Sequence, residues 1–344
     1  MNSLERMMDA ICRRPPREIP VAPFIMTFAA SYCDVPYSEY VRDGRILAEA
    51  QMRVCKEFDL DMVTVSSDPY REAHDCGVEV GFPPDDVPYS VRPAIQEEED
   101  LRHLSVPDPY KGPRMADRLL GVRSLVQGLK GTVPIVGWVE SPLAEYCCLR
   151  GLMPALADLI ERPGFVKEVL EFCLEMESRF AIAQLDEGAD IIGVGEAVAS
   201  LISPFHYRTL SLPVVRRLFE AIHVHGGIVK YHVCGSTTHL LDDFLQTGAD
   251  IVVIDSMVDM RRARSVLGGK TCIKGNVNPV ELLFAREPDY VKSLAKTAIE
   301  EGGPDGFILS LGCELARHTP KENLMAFVQA ARTYAAKDEG AKRE

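Results

Sequence analysis

IVKYHVCGSTTHLLDDFLQTGADIVVID, residues 228–255, decides the fold. Two nearly continuous Val/Ile runs, 228–234 and 250–255, flank a stretch of helical character that ends in Thr247-Gly248-Ala249-Asp250. Runs this uniformly apolar belong to strands covered on both faces, as in a parallel sheet, rather than to strands with one wet face. Working outward, six more such runs lie at residues 20–26, 61–67, 134–140, 190–196, 271–276 and 306–313. Between them, apolar residues recur at three- and four-residue steps, as in Leu47, Ala50, Val54 and Phe58 and again in Leu324, Phe327, Val328 and Ala331. That spacing gives helices with one buried face. Ser203-Pro204 marks a further helix start.

Eight strands alternating with helices predict an α/β chain folded as a (β/α)8 TIM barrel, a single domain over residues 1–344. A doubly wound sheet would place a GxGxxG after the first strand, and the chain has none there. One connection is disproportionate. Residues 68–132, between strands 2 and 3, hold Pro83-Pro84, Pro88, Pro93 and the acidic run Glu97-Glu98-Glu99-Asp100, and read as an insertion over the barrel mouth plus one helix over 115–129.

Composition narrows the function. The chain has 344 residues, 47% hydrophobic and 26% charged, with a net charge of −13. That acidity excludes a nucleic-acid binder, which needs clustered Lys and Arg, and a protein held on anionic lipid. No run approaches the ~18 apolar residues of a membrane span. The opening MNSLERMMDAICRRPP carries charges where a signal peptide is apolar, so a cytoplasmic location is expected. The ten cysteines are scattered without a CxxC.

In a barrel, chemistry collects at the carboxyl ends of the strands. There the sequence offers Thr27 and Ser31; Ser66, Ser67 and Asp68; Glu140 and Ser141; Glu196; His232 and Cys234; Asp255 and Ser256; Asn276 and Asn278; Cys313 and Glu314. His232 and Cys234 are two apart and share a strand face. Cys313, on the last strand, can meet them across the mouth. One imidazole and two thiolates form a three-ligand zinc set with a fourth position open, while the plain alternative is thiols packed in a core. Glu196 beside IIGVG must be used or paired. Asp255 acts or caps; Asn276 and Asn278 bind substrate or turn the chain.

The residues Gly195-Glu196, Leu201-Ile202-Ser203-Pro204, His232-Val233-Cys234-Gly235, Thr247-Gly248-Ala249-Asp250 with Asp255, Gly275-Asn276-Val277-Asn278-Pro279, Leu309-Ser310-Leu311-Gly312-Cys313 and Thr319-Pro320-Lys321-Glu322-Asn323 together resemble the uroporphyrinogen decarboxylase superfamily. The decarboxylases of that family carry an Arg-rich segment after the first strand and a His near the end of the last. This chain has Pro23 to Ala30 without an Arg, and Cys313. It is more similar to the zinc- and corrinoid-dependent branch, the methylcobamide:coenzyme M methyltransferases. The resemblance implies zinc on His232, Cys234 and Cys313, and a corrinoid (methylcobamide) supplied by a partner corrinoid protein. It also implies methyl transfer to or from a small-molecule donor or a thiol or folate acceptor. Asp255 and Glu196 are the catalytic candidates and the candidates for a fourth ligand, the position where the similar cobalamin-independent methionine synthases place an acid. Ser66, Glu140, Asn276 and Asn278 are the expected substrate contacts. The rivals are a porphyrinogen decarboxylase, relying on Arg42, Arg45 or Arg71, and a corrinoid-protein-binding module without turnover.

Overall fold

A computed structural model describes residues 1–15, 17–303 and 305–341, with side chains followed to Tyr334. Its centre is a parallel seven-stranded sheet. The strands are β1 (Val63–Thr64), β4 (Ile135–Glu140), β5 (Ile191–Glu196), β6 (Ile228–Val233), β7 (Ile251–Ile254), β8 (Cys272–Val277) and β9 (Phe307–Leu311), hydrogen-bonded in that order. Two short strands, β2 (Glu79–Gly81) and β3 (Tyr89–Arg92), form a separate antiparallel pair. The sheet curls toward closure, which makes the fold TIM-barrel-like.

The first expected strand differs from the sequence reading. Residues 20–26 make only isolated parallel bridges, Val21 with Leu309 of β9 and Phe24 with Glu314 just beyond it. Pro20 and Pro23 have no N–H to give a ladder, which accounts for the break. The second expected strand is regular only over Val63–Thr64. Asp61 closes this gap instead: its N–H donates to Val21 O at 2.8 Å, and its carboxylate accepts from Val21 N–H, Arg6 and Arg332. Residues 68–132 contain β2, β3 and the helix Pro113–Leu129, two residues longer at its start than expected. Among the described residues, no helix is long and apolar enough to cross a membrane.

Strand pairing fixes what faces the lumen, because partners in register point the same way. One row runs Trp138, Gly193, Lys230, Ile251, Cys272. The next runs Glu140, Gly195, His232, Val253, Lys274, Ile308. Ile251, Cys272 and Ile308 pack with Ala22, Met62, Val136 and Ile191 into an apolar layer at the amino ends of the strands. The helix Ser3–Ile11 lies against that layer through Met7, Ala10 and Ile11, the three- and four-residue spacing of one face. Asn2 and Glu5 start it with a capping box. Burying Met7 and Ile11 contributes ~1.5–3 kcal/mol each, so this helix stoppers the barrel firmly.

Candidate metal centre

His232 ends the inward face of β6, Cys234 follows one residue past the strand, and Cys313 follows β9. His232 Nε2 lies 3.1 Å from Cys234 Sγ, and Cys234 Sγ lies 4.0 Å from Cys313 Sγ. One ligand atom from each lies within 4.8 Å of the others, and this is the one such His/Cys/Asp/Glu group among the described residues. His232 is buried; the two cysteines are half-buried. The Cys234 hydrogen bond and then His232 hold Cys313 down to about 4, and the same hydrogen bond raises Cys234. A thiolate, a second thiol beside it and an imidazole converging on one point are the donor set that zinc prefers, with room for a fourth ligand.

The other expected residues separate. Glu140 faces the lumen on the row of His232. Its Oε1 accepts from Arg71 Nη2 at 2.8 Å and from Trp138 Nε1 at 3.0 Å. Burial pushes its carboxyl up to about 7 against the pull of Arg71. Gly195 leaves space for this carboxylate, and Gly193 leaves space for the Trp138 ring, since a methyl group at either would overlap them.

Glu196 alternates to the opposite face from Gly195 and is fully buried. It accepts from Ser141 Oγ at 2.6 Å, Ser211 Oγ at 3.3 Å and Val198 N–H at 3.1 Å. Asp255 does not join the ligand group either. It accepts from Gly235 N–H at 2.9 Å and Met257 N–H at 2.9 Å, tying the loop after Cys234 to the end of β7. Asn276 donates to Asp255 O and Val258 O. Asn278 caps the helix Pro279–Phe284. Ser66 is buried and donates to Met26 Sδ.

Sequence reasoning missed Trp138, Lys230, Lys274 and Arg114. Phe24 and Trp138 stack at 4.8 Å between centroids and lie 5.9 and 6.2 Å from the His232 ring. Lys230 and Lys274 are buried. Counting by twos back from His232 finds Lys230, but no local signal marks Lys274. Burial pushes Lys274 down to about 7. Arg71 and Arg114 are both buried and both held by acids: Arg71 by Glu72 and Glu140, Arg114 by Asp68 at 2.6 Å.

The family described as Uroporphyrinogen decarboxylase (URO-D) matches residues 2–334. A uroporphyrinogen decarboxylase of Ralstonia nicotianae is 26% identical, over 96% of this chain and 96% of its own. The methylcobamide:CoM methyltransferase MtbA of Methanosarcina mazei is 25% identical, over 96% of this chain and 97% of its own. In structure, a methyltransferase from Methanosarcina mazei has a TM-score of 0.89 at 21% identity, covering 97% of this chain and 99% of its own. A B12-independent methionine synthase from Shewanella sp. W3-18-1 reaches 0.61 at 13% identity, covering 87% and 89%. At these identities the two structures speak for the fold.

Proposed function

The chain belongs to the uroporphyrinogen decarboxylase family, and from that premise we propose that it is a zinc-dependent methyltransferase. It moves a methyl group between a corrinoid carried by a separate protein and a small-molecule donor or a thiol or folate acceptor, as one domain over residues 1–344, in the cytoplasm. The observation that carries this reading is the meeting of His232, Cys234 and Cys313. A decarboxylase that grips several carboxylates of a polyacid calls for arginines that are not already held by the chain's own acids. Here Arg71 and Arg114, the buried arginines beside the lumen, are engaged by Glu72, Glu140 and Asp68.

Zinc held by these three residues would supply a Lewis acid with one open position, able to lower the pKa of a bound thiol or to polarise the heteroatom of a methyl donor. The chain's own residues do the rest. Asp255, fastened to Gly235 N–H, positions the turn that carries Cys234. Glu196, fastened to Ser141 and Ser211, holds the carboxyl end of β5 and leaves Gly195 facing inward. Glu140, Ser66 and Asn276 line the substrate side, with Glu140 fixed by Arg71 and Trp138. Asn278 supports the rim as a helix cap. Residues 68–132 and the rim loops shape the substrate pocket and the face that a corrinoid partner meets.

The test is a corrinoid spectrum. Purified protein should hold about one zinc per chain. Mixed with a methylated corrinoid protein and a panel of thiols and folates, it should convert methyl-cobalt(III) to cobalt(I), visible by absorbance. With a methyl donor and cobalt(I), the reverse change should appear. Absence of zinc, or no conversion with any partner in either direction, overturns the proposal.

A further inference from the structure

Below the metal-ligand set the lumen holds two lysines for which methyl transfer as proposed has no use. Lys230 and Lys274 are each 1 % exposed. They stand on adjoining inward rows, Lys274 on the row of His232 and Glu140. Lys230 Nζ lies 4.6 Å from the Trp138 ring centroid and 5.4 Å from that of Phe24. The same two rings lie against the His232 imidazole. Among the described residues, neither Nζ has a hydrogen-bonded carboxylate or carbonyl partner, and the main charged neighbour acting on Lys274 is the Cys313 sulfur. The floor beneath them is apolar and closed by the helix Ser3–Ile11.

This arrangement runs against the ordinary habit of buried charge. A buried ammonium is costly unless paired, and two facing one space repel each other. The chain has acids in excess, with a net charge of −13. Yet it sends them elsewhere: Glu72, Glu140 and Asp68 all face Arg71. Gly193, between Trp138 and Lys230 on the same row, leaves room for both, since a side chain there would crowd the Trp138 ring and the Lys230 Cε. Burial holds both lysines below their ordinary range, so a small anion approached from the metal side would draw protons onto them, and two compact amines without the planar fork of arginine suit such an anion.

We propose that Lys230 and Lys274 form an anion seat at the bottom of the lumen, which receives the carboxylate or a similar monoanionic group of the small substrate handled at the metal centre. The seat orients the far end of the substrate, with Phe24 and Trp138 as the wall between seat and metal. The inference rests on the lumen being the substrate site, as proposed above, but not on methyl transfer.

Trp138 is the single tryptophan of the chain, and its ring touches the seat, so its fluorescence reads occupancy without turnover. Acetate is the probe, titrated into the purified protein at constant ionic strength, with chloride in a parallel series. The expected result is a saturable change in emission with acetate, its apparent dissociation constant raised at least tenfold in Lys274→Met and in Lys230→Met. Chloride should bind more weakly. Because Lys230→Met also alters the surroundings of the fluorophore, Lys274→Met is the deciding variant. Melting curves check its fold, and losing an unpaired buried ammonium should leave the midpoint unchanged or raised. If Lys274→Met does not fold, Lys274→Gln takes its place. No saturable response in the wild type, an undiminished response in both variants, or chloride binding as tightly as acetate overturns the proposal. A normal acetate response in a protein that transfers no methyl group would overturn the proposed function and leave the anion seat standing.

Discussion

Two buried groups of ionisable side chains lie on either side of Glu140, and they behave oppositely. On the lumen side, His232, Cys234 and Cys313 converge at the rim, and the hydrogen bond between the thiols pulls Cys313 down and pushes Cys234 up. On the far side, Glu72, Glu145 and Glu177 are fully buried beneath the helices Pro142–Arg150 and Pro163–Asp186, with Arg71 as the cation facing them. Five oxygens of these three carboxyls have no hydrogen-bond partner among the described residues. Burial, and then the other acids, raise Glu145 and Glu177 far above the usual carboxyl range. The cysteines divide the same way: burial pushes Cys76 up to about 12, while Cys313 is held down. Residue type is therefore a poor guide to reactivity here. A place at the mouth and a neighbour that stabilises the charged form set the first group apart; in the second, burial favours the protonated form of each acid.

The comparison can be broken in three places. The largest effect belongs to Cys313→Ser. Zinc content should fall from about one per chain to none, and methyl transfer by more than the ~10–100-fold that losing an outer-shell contact costs. The denaturation midpoint and far-ultraviolet circular dichroism should stay near wild type. A collapse of the fold would show that this thiol is structural after all.

Next is Arg71→Met, which leaves Glu140 and Glu72 buried without their cation. Breaking such a pair costs on the order of 3–5 kcal/mol, read from urea unfolding. A wild-type midpoint would mean that the two acids are already neutral and that the far group is independent of Arg71.

The smallest effect is a slope. The raised carboxyls bind more protons in the folded chain than in the unfolded one, so stability falls as pH rises. For Glu140 the fall spans from its ordinary value of 4.5 to about 7. Glu145 and Glu177 extend it to higher pH. Unfolding measured between pH 5 and pH 8 should show this decline, and Glu177→Gln should flatten it. An unchanged slope in Glu177→Gln would place the titrating acids elsewhere.

The contrast also explains what could be read from the chain alone. Strands β4 to β9 that build the sheet announce themselves as apolar runs because both of their faces are covered. The first run reads equally apolar, but Pro20 and Pro23 deny it a ladder, and Asp61 closes the sheet through side-chain bonds that no periodicity encodes. His232, Cys234 and Cys313 are legible because barrel topology joins strand ends. Glu196 was read as a rim acid, yet alternation from Gly195 turns it away from the lumen toward Ser141 and Ser211. Lys230 and Lys274 hide inside apolar runs, where each looks like an interruption of the strand. Only pairing across five strands puts Lys274 on the row of Glu140 and His232.

The stopper formed by Met7, Ala10 and Ile11 closes the amino ends of the strands among the described residues, which leaves the rim of His232, Cys234 and Cys313 as the way in. A corrinoid protein docked on that rim, as proposed, would cover the way in, so the small molecule would have to enter first. The proposed reaction is therefore expected to be kinetically ordered. The small molecule adds first and leaves last, and excess partner protein traps it inside rather than competing with it.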